Sequence, residues 1–459
     1  MLIIKSIKKN LIYNIREYLL LSFSLLIILS INSSFLDAQK IFDTKFDMSI
    51  NYFITLFNSA RFFFPFLVFL MLFVYVKNFN YIKLFKNSFF LFFILYFLYQ
   101  LLVYNKFHMQ HDWSYIQLAM AGCIFSLICS LSIVENLKYF SKYLFIITII
   151  TFSLFTLYLS SKILILAIEN GDKYLYWSNA LEPSKQTFGQ ANPRVTGLSR
   201  TLLIFFVFLF FLTQKFNKII KILTYIVLFL SIFILYGMQT RGALIGLIIF
   251  LVIYLFFVNE FYLKKVLKIF FLIILPVIVY ENSMNIKIKH DNSIDRQGRY
   301  LRDNKIVKDS SGRIDLWKLS FNLIKEHKII LGLGPQGDRQ IFDIYQQNTI
   351  QTIESIKWST NVSNGYIYSY LSAGIVGFCI ALIVTMILVK EVFVAVIKNK
   401  IFKKNRSLNY LSVFCILFLI SRTVFENGLF FFGIDYIFIL ISYLNLYIFN
   451  DNLKNNITK

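Results

Sequence analysis

Apolar runs long enough to cross a bilayer recur from one end of this chain to the other, and no other feature restricts its fold as tightly. Once water is excluded, such a run satisfies its own backbone polar groups only as a helix. Runs of roughly 17–25 residues, the length a membrane-spanning helix needs, centre near Leu25, Leu67, Leu95, Ser126, Phe152, Val207, Leu228, Phe250, Ile273, Gly377, Phe414 and Leu440. They predict an all-α polytopic integral membrane protein with about 12 transmembrane helices. The pattern argues against a porin-like barrel, whose spans would be short and alternating instead of continuously apolar. The first run resembles a secretion signal, but it is long and lacks a small-residue cleavage site, so it reads as an uncleaved span.

The formal net charge of +23 would point to nucleic acid in a soluble chain. Here lysine tracts occupy alternate connections: "VKNFNYIKLFK", "ENLKYFSK", "KFNKIIK", "EFYLKKVLK" and "KEVFVAVIKNKIFKKNR". Positive charge marks the cytoplasmic side of short loops, so these tracts and both termini are expected in the cytoplasm, and no nucleic-acid partner is expected. The resulting division is 1–168 as N-terminal spans, 169–199 as an extracytoplasmic loop, and 200–280 as further spans. A large extracytoplasmic loop with amphipathic helices follows at 281–364, and C-terminal spans occupy 365–459. Cys123, Cys129, Cys379 and Cys415 all lie within apolar runs, where a buried, inert thiol is the expected state.

Arginine is distributed differently from lysine. Arg16 and Arg406 accompany the cytoplasmic lysines, whereas Arg61, Arg194, Arg200, Arg241, Arg296, Arg299, Arg302, Arg313, Arg339 and Arg422 map to the opposite side. Topology requires positive charge inside and does not explain arginine outside. A guanidinium grips phosphate with a planar fork that ammonium lacks, so the bias fits an anionic ligand held at the outer surface. Ordinary contact with lipid headgroups is the plainer alternative.

Several motifs carry these arginines. In "MQTRGALIGL", Arg241 stands at a tight hairpin between two spans, where it faces the interface or a wet cavity. In "NPRVTGLSRTLL", Arg194 and Arg200 precede a span and can grip a phosphate entering from the bilayer. In "SSGRIDLWKLSFNLIKEHKIILGLGPQG", Ile314, Trp317, Phe321 and Ile324 follow helical spacing, with Ser311 as a candidate cap. This predicts an amphipathic helix on the outer leaflet. Arg313 falls in its first turn, where a cation opposes the helix dipole and an anionic partner explains it better than helix stability does. Gly332, Gly334 and Gly337 spell GxGxxG, but no strand precedes them and Pro335 interrupts them, so they read as a backbone turn.

Downstream, "STNVSNGYIYSYLSAGIVGF" brings Asn361, Ser363 and Asn364 to the start of a span, a place where sugar hydroxyls can be bound. "SRTVFENGLFFFGIDY" sets Arg422, Glu426 and Asp435 near the ends of the last two spans, where ionisable groups are costly unless paired or wet. An Arg422–Glu426 pair at i,i+4 is the structural alternative to a functional role there. "HMQHD", with His108, His111 and Asp112, is too sparse to define a metal site.

In this order and placement, "PRVTG", "TRGA", "SGRIDLW…LGLGPQG", "SNGYIYSYLSAGIVG" and "RTVFE" resemble the O-antigen polymerase/ligase superfamily of bacterial envelope glycosyltransferases, over roughly Arg194 to Asp435. The resemblance implies inverting, metal-independent transfer of a glycan from undecaprenyl pyrophosphate to an acceptor sugar hydroxyl. The reaction would run at the outer face of the bacterial inner membrane, with no cofactor. Arg241 and Arg313 are then the candidates for stabilising the departing pyrophosphate, and Glu426 for orienting or deprotonating the acceptor. Arg194, Arg200, Trp317, Asn361, Asn364 and Arg422 are candidates for substrate binding. Membrane lipid and a chain-length regulator are the implied partners. The ligase pattern places a His before Asn364, nine residues and then Gly374…Gly377; here that position is Ser363, which favours a polymerase over a His-dependent ligase. A ligase acting on lipid A core or another acceptor remains the alternative. A transporter or flippase is a third reading, although the chain shows no repeated halves and its charges lie away from the bilayer midplane.

Overall fold

The computed structural model describes residues 87–107, 193–213, 216–237, 241–258, 267, 269–279, 313–339, 341–342, 362–398, 407–426, 428 and 434–457. All regular structure among them is helical. The elements are α1 (Ser88–Phe107), α2 (Pro193–Thr213), α3 (Lys218–Gly237) and α4 (Arg241–Val252), which continues as a π-helical turn, Ile253–Val258. A second π-helical segment, Phe270–Ile274, comes next, then α5 (Arg313–Glu326) and α6 (Gly365–Phe393), which also ends in a π-turn. The last two are α7 (Ser407–Thr423) and α8 (Ile434–Ile457). The expected span centres Leu95, Val207, Leu228, Phe250, Ile273, Gly377, Phe414 and Leu440 all fall in helices, whereas Leu25, Leu67, Ser126 and Phe152 lie outside the described residues.

Among the described residues two helical stretches, Lys218–Tyr236 and Gly365–Ile397, are long and apolar enough to cross a membrane. Their outward faces are apolar as well: Ile219 is 76% exposed and Met386 63%. Water would penalise such contiguous apolar surface, so lipid is its natural solvent. Cys415 is buried in α7 as expected; Cys379 instead lies exposed on α6, beside the lipid-facing Ile375, Val376 and Leu382. Cys123 and Cys129 lie outside the described residues.

The core is built on α2, whose residues Leu202 to Phe211 are all buried, and on α7, which packs against α2, α4, α6 and α8. Register points establish the directions. Phe211 stacks on Tyr410 with ring centroids 4.2 Å apart, while Gly246 of α4 is pressed between Leu203 and Phe418. As the α2 number falls the α7 number rises, so these helices are antiparallel. On α4, Phe250 meets Phe206 and Tyr254 meets Phe210, so α4 runs parallel to α2. Asn445 donates to Ser412 at 2.9 Å and Asp435 meets Arg422, which makes α8 antiparallel to α7.

Several hydroxyl side chains inside these helices are satisfied locally. Thr213, Thr224, Ser231, Thr385, Ser412 and Thr423 each return a hydroxyl bond to the carbonyl four residues back. Asn87 caps α1 by accepting from the Phe89 amide at 3.0 Å, and it also accepts from Tyr443 of α8 at 2.9 Å.

Candidate active site

α2 opens on Pro193, whose fixed φ and missing amide proton suit a first helical turn. Arg194 and Arg200 therefore stand inside the helix instead of before it. Arg200 is buried, and its guanidinium bonds one carboxylate oxygen of Asp435; Arg422, at the end of α7, bonds the other. Asp435 lies in the first turn of α8, where the positive end of the helix dipole adds to the two guanidinium charges. Glu426 is half-buried nearby and interacts electrostatically with Arg200. The ion pair formed by Arg422 is thus with Asp435. Because α7 ends at Thr423, the helical i,i+4 relation that would join Arg422 to Glu426 does not exist.

The same register places Arg241 at this end of the bundle. With about 1.5 Å of rise per residue, Arg200 stands about 4.5 Å beyond Leu203, Arg422 about 6 Å beyond Phe418, and Arg241 about 7.5 Å beyond Gly246. Leu203, Phe418 and Gly246 themselves touch, so three residues distant in sequence share one level along the bundle. Beside Arg241, a Cβ added to Gly242 would meet nothing within 4 Å, so the start of α4 borders open space.

Asn364 connects this cluster to α6. Its carbonyl oxygen accepts from the amides of Tyr366 at 2.9 Å and Ile367 at 3.0 Å, capping the helix, and its amide donates to the Val424 carbonyl at 3.0 Å, just past Arg422. Trp317 of α5 donates its indole N–H to the Val362 carbonyl at 3.1 Å, and the Val362 amide donates to Asp338 at 3.1 Å. The chain from α5 through Val362 and Asn364 to the Arg422 turn is therefore continuous. Arg313 is the first residue of α5, Arg241 the first of α4, and Arg194 the second of α2. Asn361, Ser311 and the His108–Asp112 stretch lie outside the described residues.

The face that α5 buries differs from the one its apolar spacing predicts. Leu316, Ser320 and Leu323 point inward with Trp317 and Ile324 beside them, while Ile314 and Phe321 are exposed next to Lys318 and Lys325. The inward face includes a serine because Ser320 returns its hydroxyl to the Leu316 carbonyl at 2.7 Å, which removes the cost of burying it. Sequence reasoning also passed over Asp338, Tyr96, Gln100 and Ser372. Of these only Asp338, an acidic residue directly after "GLGPQG", carried a readable signal.

No curated protein matches the chain. Residues 226–382 match the O-antigen ligase family model. The matched segment runs from within α3 into α6 and carries Arg241, Arg313, Trp317, Asn361 and Asn364; Arg194, Arg200, Arg422, Glu426 and Asp435 fall outside it and join it only through packing. That match, over the segment that holds two of the arginines and the Asn364 cap, makes this part of the chain similar to the O-antigen ligase family and supports the resemblance to the O-antigen polymerase/ligase superfamily.

Proposed function

We propose that the protein polymerises lipid-linked oligosaccharide repeat units of the O-antigen, capsule or exopolysaccharide type. It takes glycan from undecaprenyl pyrophosphate and transfers it to an acceptor sugar hydroxyl at the outer face of the inner membrane. The observation that carries the reading is the gathering of Arg200, Arg241, Arg422, Asp435 and the Asn364 cap at one end of the bundle, next to open space. In the reaction, the acceptor oxygen bonds the anomeric carbon as the bond from that carbon to the pyrophosphate breaks. Glu426 receives the hydroxyl proton, and undecaprenyl pyrophosphate departs. Its developing charge falls to Arg241 and Arg313, which begin their helices where backbone N–H groups already favour an anion. Arg194, Arg200, Arg422, Trp317, Asn361 and Asn364 bind or frame the substrates. A chain-length regulator is the protein partner that such a polymerase would use.

A ligase reading is supported by the description of the matching family. Against it stands Ser363 at the position of the ligase histidine, because a serine hydroxyl is too weak a base near neutral pH. A gel of carrier-linked glycan from a deletion strain separates the two. Loss of a polymerase leaves single repeat units on the carrier, whereas loss of a ligase leaves carrier-linked polymer. Intact polymer would overturn the reading proposed here.

A further inference from the structure

The longest helix among the described residues, α6, is broken inside its apolar stretch, at a place that neither topology nor the transfer chemistry explains. Ala373 (φ −134°, ψ 18°) and Gly374 (φ 61°, ψ −156°) interrupt α6, and the Gly374 torsions belong to a region essentially closed to other residues. A break of this kind frees backbone groups that a lipid environment cannot satisfy. In a regular helix the Ile375 amide would bond the Leu371 carbonyl. Here the Ile375 amide donates to the Ile330 carbonyl at 3.0 Å, and the Leu371 carbonyl accepts from the Leu333 amide at 2.8 Å. The Ser372 carbonyl accepts from the Gly334 amide, also at 2.8 Å. Residues 330–334, which directly follow α5 and its terminal turn, thus form a strap whose backbone completes the broken helix.

Two glycines let the strap in. Gly332 has φ +87°, and a methyl there would strike the backbone of Ala373 and Gly374; a methyl on Gly374 would strike Ile330, Leu331 and Gly332. Side chains of α1 hold the assembly. Tyr99 donates to the Leu331 carbonyl at 3.1 Å, and the Ser372 hydroxyl lies 3.1 Å from the Tyr96 hydroxyl and 3.2 Å from the Gln100 amide. Past the strap, the Gln336 amide donates to Tyr368 at 3.2 Å, and Asp338 then binds the Val362 amide.

We propose that the strap seated in the α6 break is a positioning joint for the transfer reaction, with Gly332 and Gly374 as its positioning residues. Seated, it fixes residues 365–372 of α6, and with them the Asn364 cap on the Arg422 turn, at a set distance from α5 and Arg313. The strap stays in the break throughout turnover. The assignment of a reaction to the joint rests on the polymerase reading above.

The test is a reversible lock. In a chain whose four native cysteines are replaced by alanine, Ile330→Cys and Ile375→Cys together place thiols on two exposed positions whose backbones share a hydrogen bond, within disulfide reach. Oxidation of membranes should form the disulfide, detected by mass spectrometry of the linked peptides, and transfer from lipid-linked donor should continue at the rate of the reduced form. Transfer that stops on oxidation and returns with reductant would show that the strap must leave the break, and a disulfide that does not form would show that it is not seated; either overturns the joint. In Gly374→Ala, kcat should fall about a hundredfold, the cost of a small misplacement of reacting groups, with the donor KM within about twofold; a raised KM at unchanged kcat would contradict a positioning role. The cysteine-free parent is assayed alongside. No transfer by the parent counts against the polymerase reading, whereas transfer that only the locked form loses counts against the joint alone.

Discussion

Arg200 and Arg422 bond opposite oxygens of a single carboxylate, that of Asp435, although the first lies in α2 and the second at the end of α7. All three side chains are buried. Two guanidiniums on one carboxylate leave a positive balance that Glu426, close enough to act on Arg200, moderates. An arrangement of this kind ties three helices together at the end of the bundle where Arg241 and the Asn364 cap also stand.

The unequal count of charges predicts an order of damage. Asp435→Ala leaves two buried cations without their shared anion and should cost about 3–5 kcal/mol, the usual penalty for stranding a buried charge. Arg422→Ala leaves a balanced Arg200–Asp435 pair and should lower the detergent-solubilised Tm by clearly less. Thermal denaturation of the two variants checks the order, and equal losses would mean that the cluster does not behave as a coupled triad.

For the chemistry, Arg241→Ala and Arg313→Ala should each reduce transfer by about 10²–10³-fold, the effect of removing a donor that stabilises transition-state charge. Membrane insertion should be unchanged. Lysine at either position should restore little, because it lacks the planar fork that matches a diphosphate. Glycan length on gels provides the measurement, and normal chain length in both alanine variants would remove the proposed mechanism.

Asn364 performs two tasks that substitution separates. Asn364→Ala loses both the cap and the bond to Val424, and should cost about 1–2 kcal/mol. Asn364→Asp keeps an oxygen for the Tyr366 and Ile367 amides but loses the donor to the Val424 carbonyl, so its Tm should lie between alanine and the native protein. If both variants are equally unstable, the Val424 bond is the dominant contribution.

Two glycines of α4 should respond in opposite ways. Gly246→Leu forces a side chain between Leu203 and Phe418 and should destabilise the bundle by about 1–3 kcal/mol or prevent folding, as overpacking does. Gly242→Ala enters open space and should leave Tm unchanged or slightly raised, since alanine favours a helix. Expression and thermal melts of the pair test how closely α4 approaches α2 and α7.

The apolar runs by themselves determined the helices: Leu95, Val207, Leu228, Phe250, Gly377, Phe414 and Leu440 centre helical stretches because a backbone without water has no other way to pair its own groups. The ordered motifs around Arg241, Arg313 and Asn364 likewise carried the resemblance that the family match over residues 226–382 supports, since they are local in the chain. Packing alone decided the partners. Asp435 rather than Glu426 receives Arg422 because α7 stops at Thr423 and the start of α8 returns to the same level, a relation that no spacing within one helix encodes. The break in α6 was hidden for the same reason. Its residues continue an uninterrupted apolar run, and only the strap from residues 330–334, delivered from another part of the chain, supplies the hydrogen bonds that let the helix open there.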